Sequence, residues 1–193
     1  MPLINKKNKA PIIIGGIFLG LAGLTYYNRK KVKAVVSGYI NPKNNSAHID
    51  SLNPQFKDKF QRFLNAAKLR GWDYQINSSY RDFKRQKELH IEDDRNAPAG
   101  YSDHNYGAAI DVQFKKGNIV LGKTTNKDQW IKSGLPQLAA SMGLGWGGDF
   151  KGYLDQVHFY VKGLNVSKLY QMALKQFNTN DPTKVIGNRV KVA

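Results

Sequence analysis

Two separate stretches of this sequence contain residue types that bind metal ions. In the first stretch, residues 101–111, His104 and Asp111 lie seven positions apart. In the second stretch, Asp155 precedes His158 by three positions. Two imidazoles and one carboxylate can hold a zinc ion and leave one coordination position open, with a second carboxylate beside it. The sequence therefore predicts a catalytic zinc site with His104, Asp111 and His158 as ligands.

A zinc ion in such a site would make hydrolysis possible at neutral pH. Zinc with three protein ligands lowers the pKa of a bound water to about 7 and polarises a substrate carbonyl. The reaction also needs a base that takes the proton of the water and returns it to the leaving amine, and Asp155 is the candidate. A cation must stabilise the oxyanion or hold a substrate carboxylate, and Arg81 is suited to either task.

The alternation of side chains along three predicted strands puts these groups on one face of a sheet. The main apolar residues of each strand share one parity. Asp111 and His158 have the opposite parity, and Arg81 continues the polar parity just after its strand. An antiparallel sheet that carries helices on its apolar face can expose the polar face as a cleft. The strands are predicted over residues 72–80, 109–114 and 156–161.

Two of the candidate residues must lie outside these strands. Asp155 has the opposite parity to His158, so it can reach the same metal only from the turn before the strand. His104 likewise falls in the loop before its strand. The small residues Gly107, Ala108 and Ala109 allow that backbone to pass close to another element.

Helical periodicity completes the predicted fold. Apolar residues recur at spacings of three and four, for example over residues 53–70 and in a last helix that Ser167 caps. Another helix is predicted to begin at Phe83 after a cap by Asp82, and another over residues 130–142. We predict an α+β fold: a small antiparallel sheet with helices packed on one face and a zinc cleft on the other, preceded by an N-terminal transmembrane helix.

The N-terminal transmembrane helix is predicted from residues 10–27, which contain no charged residue and have basic residues on both sides. This length is near the lower limit of about 17 residues for a spanning helix. An uncleaved anchor is the preferred interpretation, because no small-x-small cleavage site precedes the basic cluster cleanly. A cleaved signal peptide and a buried hairpin remain alternatives. The basic residues on both sides leave the orientation of the anchor open.

The composition narrows the class of protein. The chain has no cysteine, so a metal site must use His, Asp or Glu. Its formal net charge is +16. Such an excess favours contact with a polyanion, although solubility alone would also explain it. A nucleic-acid partner is not expected, because charge is the sole feature in its favour and no recognition motif is present.

The stretch around His104 is similar to a motif of a known family. Residues 102–111 match, position for position, the pattern Ser-x-His-x-x-Gly-x-Ala-x-Asp of the VanY-like zinc D,D-carboxypeptidases and the related L-alanyl-D-glutamate endopeptidases of phage endolysins. Residues 79–81 with Gln86 resemble another segment of this family. Residues 145–150 with Asp155-x-x-His158-Phe159 resemble its closing motif. The resemblance extends over about residues 50–165.

The resemblance implies an activity and a role for six residues. The activity is hydrolysis of stem-peptide bonds in bacterial peptidoglycan, either by an L-Ala-D-Glu endopeptidase or by a D,D-carboxypeptidase. It would serve wall lysis or penetration by a phage, with wall remodelling by a bacterium as the alternative. The implied roles are zinc ligands for His104, Asp111 and His158, general base for Asp155, a position near the scissile carbonyl for Arg81, and substrate contact for Ser102.

The predicted organisation has four parts. They are an N-terminal membrane anchor with basic flanks (1–33), a linker (34–52), a zinc peptidase domain (53–178) and a basic tail (179–193). The catalytic domain would then face the cell wall, in a cell envelope or in a virion that contains membrane.

The alternative function is that of a non-catalytic zinc-binding structural or wall-binding protein on the same scaffold. The joint presence of Asp155 and Arg81 argues against this alternative.

Overall fold

The structure is a computed structural model that describes residues 44–192 of the chain. These residues form helices and strands in mixed order, joined by several short 3-10 helices. The helices are α1 (Asn45–Asp50), α2 (Pro54–Leu69), α3 (Phe83–Glu92), α4 (Lys127–Lys132), α5 (Leu135–Ser141) and α6 (Val166–Gln176). The strands are β1 (Asp73–Ser78), β2 (Ala109–Lys116), β3 (Ile119–Leu121), β4 (Leu144–Trp146) and β5 (His158–Val161).

The strands form one antiparallel sheet in the order β1-β2-β5-β4, and the short β3 also pairs with β2. Strand β2 is therefore central, with β1 on one side and β5 on the other. Asp111 of β2 lies opposite His158 of β5. On the other side Asp111 lies opposite Ser78, after a register shift between Ile76 and Ser78 of β1. The sheet therefore surrounds Asp111 with groups from two neighbouring strands.

Helix α2 packs on the apolar face of the sheet. The ring of its Phe63 lies 5.8 Å from that of Phe114 on β2 and 4.9 Å from that of Phe159 on β5. All three rings are fully buried, and aromatic rings of this size contribute much of the hydrophobic stabilisation of a core. The predicted α+β class and small antiparallel sheet are confirmed, and the alternation of buried side chains in β2 and β5 is as predicted.

Side-chain caps explain where several helices begin. The Asn53 carboxamide oxygen accepts from the Gln55 amide at the start of α2, and the Asp82 carboxylate accepts from the Arg85 amide at the start of α3. The prediction that Ser167 caps the last helix was wrong: Asn165 caps α6 through the Lys168 amide, and Ser167 lies inside the helix.

The helix predicted over residues 130–142 is two helices, α4 and α5. Gly134 separates them and has a φ of +74°. A left-handed residue cannot continue an α-helix, and glycine adopts this conformation without a steric penalty. The chain therefore changes direction at Gly134, and the buried Trp130 and Leu135 lie on either side of the break.

Two segments outside the predicted domain of residues 53–178 also pack against it. Helix α1 lies within the predicted linker, and its buried Asn45 donates to the Tyr74 carbonyl and accepts from the Ile76 amide of β1. The predicted basic tail contributes Val185 and Val190, which are 4 % and 1 % exposed. The folded unit thus extends beyond the predicted boundaries at both ends.

Among residues 44–192, no helix combines the length and the apolarity that crossing a bilayer requires. The predicted anchor, residues 1–33, lies outside the described part of the chain.

Candidate active site

The strand register brings the first two predicted ligands together. Asp111 and His158 are cross-strand partners in β2 and β5, and the distance from His158 Nδ1 to Asp111 Oδ1 is 3.0 Å. Directly opposite side chains of an antiparallel pair lie on the same face. The prediction from parity that these residues share the polar face is therefore confirmed.

His104 reaches the same carboxylate from a 3-10 helix, Asp103–Tyr106, that immediately precedes β2. The hydroxyl of Ser102 caps this helix by accepting from the His104 amide. At the other end Gly107 has a φ of +60°, and a Cβ there would lie 2.5 Å from the Asn53 amide nitrogen. The glycine therefore allows the turn that places His104 Nε2 3.1 Å from Asp111 Oδ1.

The other ring nitrogen of His104 contacts a carbonyl. His104 Nδ1 lies 2.5 Å from the Ser79 oxygen. Because a carbonyl only accepts, Nδ1 carries the proton, and in the neutral imidazole the lone pair on Nε2 is then available to a metal. Histidines that bind metals commonly have such a partner on their second nitrogen.

The three groups fit a zinc ion. One ligand atom each from His104, Asp111 and His158 lies within 4.8 Å of the other two. Ligands about 2.0–2.1 Å from zinc in a tetrahedron are roughly 3.3 Å apart, close to the 3.0 and 3.1 Å that separate Asp111 Oδ1 from the two imidazoles. The donor set of two nitrogens and one oxygen leaves a fourth tetrahedral position for water or substrate.

The electrostatics keep the Asp111 carboxyl ionised, as a metal ligand must be. Burial raises the pKa of Asp111, but the charges and hydrogen bonds of His104 and His158 outweigh this effect. The pKa of Asp111 consequently lies well below its usual range. Arg81 adds to the positive surroundings, since its Nη2 lies 3.6 Å from Asp111 Oδ2.

Asp155 lies in the turn before β5, as predicted. Its amide donates to the Gly147 carbonyl, and its carbonyl accepts from the His158 amide. Its Oδ1 is buried and has no hydrogen-bond partner among residues 44–192. Burial raises the pKa of Asp155, and the negative charge of Asp111 raises it further. The site thus contains a second carboxyl group, beside the ligands, that holds its proton more tightly than usual.

Arg81 reaches the site from a loop rather than from a strand. The prediction extended the first strand to Tyr80, but β1 ends at Ser78 after the register shift. The guanidinium is held by Nη1 donating to Gln86 Oε1 at 2.9 Å and by Nη2 donating to Ser78 Oγ at 3.1 Å. The Arg81 amide also donates to the His104 carbonyl. These bonds fix the cation beside Asp111.

All six predicted site residues line one cleft of about 430 Å³. Ser102 lies on its wall, where its hydroxyl also caps the 3-10 helix. The cleft therefore brings together the candidate ligands, a free carboxylate, a fixed cation and a hydroxyl. This combination can bind a metal, deprotonate water and stabilise negative charge on a carbonyl oxygen.

The sequence reasoning missed other lining residues. Asp103 sits next to a predicted ligand, and burial raises the pKa of its carboxyl. The Phe150 ring lies 5.8 Å from the His158 ring. Neither residue is in a regular strand, so side-chain alternation gave no signal for them. The sequence offered one indication for each: Asp103 is adjacent to His104, and Phe150 belongs to the closing motif, residues 145–150. The other missed lining residues include Arg95, Tyr101, Lys123 and Tyr153.

Comparison with known proteins gives matches over the same region. A peptidase M15 family model, described as D-alanyl-D-alanine carboxypeptidase, matches residues 95–161. The peptidoglycan L-alanyl-D-glutamate endopeptidase CwlK of Bacillus subtilis is 33 % identical in an alignment 121 positions long, which covers 55 % of this chain and 71 % of CwlK.

Solved structures also match. The L-Ala D-Glu endopeptidase ChiX of Serratia marcescens has a TM-score of 0.48 at 19 % identity, over 66 % of this chain and 92 % of that one. The vancomycin-resistance D,D-pentapeptidase VanY, in complex with Zn(II), has a TM-score of 0.43 at 18 % identity, over 62 % and 78 % of the two chains. From its identity with CwlK over more than two thirds of that protein, the chain belongs to the family of VanY-like zinc D,D-carboxypeptidases and L-alanyl-D-glutamate endopeptidases, and it is a zinc metallopeptidase.

Proposed function

We propose that this chain hydrolyses the L-alanyl-D-glutamate bond of peptidoglycan stem peptides, with His104, Asp111 and His158 as its zinc ligands. The similarity to CwlK, which extends over most of that endopeptidase, supports this choice of bond. The convergence of two imidazoles and a carboxylate supports the ligand set. Zinc at this position would supply a Lewis acid that makes water more acidic and polarises the scissile carbonyl.

In the proposed mechanism Asp155 moves the proton. Its carboxylate accepts a proton from the attacking water and returns it to the amine of D-glutamate as the peptide bond breaks. One oxygen of this carboxyl, Oδ1, is buried without a partner among the described residues, beside the ligands. A buried polar atom without a partner is costly, so a reacting group is a physical reason for its presence. This single observation carries the proposal of a catalytic rather than a structural site.

Arg81 and Ser102 would act on the substrate. The guanidinium of Arg81 would stabilise the negative charge that develops on the carbonyl oxygen. Gln86 and Ser78 already hold it, so little reorganisation is needed during the reaction. Ser102 lies on the cleft wall, and its hydroxyl has the capacity for a second hydrogen bond, to a peptide group.

The test of the base is Asp155→Asn, which keeps the shape of the side chain and removes its basicity. We expect kcat/KM on purified sacculi to fall by about 10²- to 10⁴-fold, with the zinc content unchanged. The matched control is Asp149→Asn, an exposed aspartate in the same segment that pairs with Lys127. An active Asp155→Asn enzyme would show that another group takes the proton.

The bond that is cut can be read from the products. Mass spectrometry of digested muropeptides should find peptides with a new D-glutamate N-terminus. The family model is described as D-alanyl-D-alanine carboxypeptidase, and that second activity would instead remove one terminal D-alanine. Absence of both products with zinc-loaded protein would favour the non-catalytic alternative.

We also propose a biological setting, which is lysis or penetration of a bacterial wall by a phage. The similarity of the motifs to those of phage endolysins supports this setting. The uncharged residues 10–27 support a membrane-anchored protein whose catalytic domain faces the wall. Clearing of living bacteria after induced expression, and its loss in Asp155→Asn, would test the lytic role.

A further inference from the structure

Ser79 connects the candidate zinc site to helix α1. It follows the end of β1 and its side chain is buried, at 3 % exposure for the residue. Its carbonyl accepts from His104 Nδ1, as described above. Its hydroxyl points to α1, where Oγ lies 2.8 Å from His48 Nδ1 and 2.8 Å from Ser51 Oγ. One residue thus contacts both a candidate ligand and a helix that is absent from the sequence-based prediction.

Counting donors fixes the direction of these hydrogen bonds. Ser51 Oγ lies 2.7 Å from the His48 carbonyl oxygen. Because a carbonyl only accepts, Ser51 donates its one hydroxyl proton to it. Ser51 must therefore accept from the Ser79 hydroxyl. Ser79 then has no proton left for His48, so Ser79 accepts and His48 Nδ1 must donate.

The result is a closed ring of hydrogen bonds. His48 Nδ1–H donates to Ser79 Oγ, the Ser79 hydroxyl donates to Ser51 Oγ, and the Ser51 hydroxyl donates to the His48 carbonyl. Every hydroxyl in the ring both donates and accepts, which strengthens each bond. This hydrogen-bond ring requires His48 to carry a proton on Nδ1. Burial lowers the pKa of His48, which favours the neutral form of its imidazole.

We propose that His48, Ser51 and Ser79 are positioning residues that set the affinity of the site for zinc. The ladder of β1 ends at Ser78, so the carbonyl of residue 79 lies beyond the strand pairing. The ring holds Ser79 through its side chain and so fixes the carbonyl that orients the His104 imidazole. Partners of this kind commonly change metal affinity when they are removed. The inference rests on the proposed role of His104 as a zinc ligand.

Zinc affinity, measured by competition with a chelator, is the first test. Removal of a direct partner of a ligand costs about 10- to 100-fold in affinity, and this ring acts one bond further away. We expect Ser79→Ala and His48→Ala each to weaken zinc binding roughly three- to tenfold. His48→Asn should restore most of the affinity, because its amide nitrogen can donate from nearly the same place as Nδ1.

The matched control is Ser46→Ala, an exposed serine on the same helix, which should bind zinc as the wild type does. Wild-type affinity in Ser79→Ala and His48→Ala would overturn the proposal. Loss of affinity that His48→Asn does not restore would also overturn it, because the change would then reflect a general effect on α1.

The second test needs no substitution in the ring. In long-range ¹H–¹⁵N spectra of the wild-type protein, neutral His48 should carry its proton on Nδ1, and a proton on Nε2 would refute the ring.

The variant His104→Ala separates this inference from the proposed function. If His104→Ala binds zinc normally, the proposed ligand set fails. If it loses zinc while Ser79→Ala binds normally, only the positioning role fails.

Discussion

Three aspartates in the cleft have different electrostatic surroundings, and this difference agrees with the tasks proposed for two of them, Asp111 and Asp155. Imidazoles surround Asp111 and lower its pKa, whereas burial raises the pKa of Asp155 and of Asp103. A ligand must stay ionised, and a base must be able to hold a proton during the reaction. Environments that push the pKa values of neighbouring groups apart are typical of acid–base sites.

The pKa of Asp155 provides a test of its position beside the metal. Burial and the charge of Asp111 raise this pKa in the zinc-free protein. A bound cation favours the ionised carboxylate, so the pKa should fall when zinc binds. Asp155 is thus expected to lose its proton at a higher pH without zinc than with it.

Titration of the carboxyl ¹³C resonance, with and without zinc, would measure this shift. The signal of Asp155 is the one that disappears in Asp155→Asn. Identical titration curves in both states would place the metal away from this carboxyl.

Arg81 should not be replaceable by lysine. Its guanidinium contacts Gln86 and Ser78 through separate nitrogens and still lies beside Asp111. One ammonium cannot reproduce this geometry. We expect Arg81→Lys to lower kcat by about 10²- to 10³-fold, as for the loss of one group that stabilises an oxyanion, in steady-state assays on muropeptides. Arg85→Lys is the control, since Arg85 is exposed and pairs with Glu88. Equal rates in the two variants would remove Arg81 from the mechanism.

At the level of residues, the sequence predicted the site unevenly. The positions of Asp111 and His158 were predicted from strand alternation, because the residues directly before and after each of them are apolar and buried. His104 lies in a short 3-10 helix and Asp155 and Arg81 lie in loops, so the alternation of a strand applies to none of them. Strand parity and the resemblance indicated that His104 and Asp155 lie outside the strands. Arg81 was predicted to lie in the cleft, which is correct, but the prediction relied on a first strand that was too long.

Among the elements, the C-terminal segment supports the 3-10 helix that carries His104. Asn188 Nδ2 donates to the Ser51 carbonyl at 2.7 Å. A Cβ on Gly187 would lie 1.8 Å from the Asn105 carbonyl oxygen, so the two backbones are in close contact. The segment therefore packs directly behind the motif and behind helix α1.

Burial of the C-terminal segment should contribute measurably to the free energy of unfolding. Val190 is 1 % exposed, whereas Ile186 of the same segment is 43 % exposed. Val190→Ala should lower the free energy of unfolding by about 2 kcal/mol, from lost burial and the cavity left behind. Ile186→Ala, the control, should change it by less than about 0.5 kcal/mol. Urea denaturation would measure both, and equal effects would mean that the segment is loosely attached.

The elements that the sequence missed share a physical cause. Helix α1 is six residues long, too short for a clear periodic pattern, and it is held by hydrogen bonds of Asn45 and His48 rather than by an apolar stripe. In the C-terminal segment, the buried Val185 is followed by the exposed Ile186, and the buried Val190 lies between Arg189 and Lys191, so no apolar periodicity marks the buried residues. Long amphipathic helices such as α2 bury a whole face, and the sequence showed them clearly.

For the whole molecule, the predicted anchor should decide where the chain is found. Full-length protein is expected to stay in the membrane pellet after an alkaline carbonate wash. The double substitution Leu19→Lys and Leu21→Lys should release it, because each charge near the centre of a spanning helix costs about 2.5–3.5 kcal/mol. The control is Val35→Lys with Val36→Lys, outside the uncharged segment. Retention of the Leu19/Leu21 variant in the pellet would argue against a spanning helix.

The contacts between the two ends of the folded unit have a consequence for its folding. Asn53, Gln55 and Ser51 pair with residues 137 positions later. Contacts of such long separation form late, because most of the chain must be ordered or closed into a loop first. The support behind His104 is therefore complete only once residues 187–192 have docked against the start of the folded unit. We expect a chain that stops before Gly187 to bind zinc more weakly than the chain that includes residues 187–192, because the turn that carries His104 loses its backing.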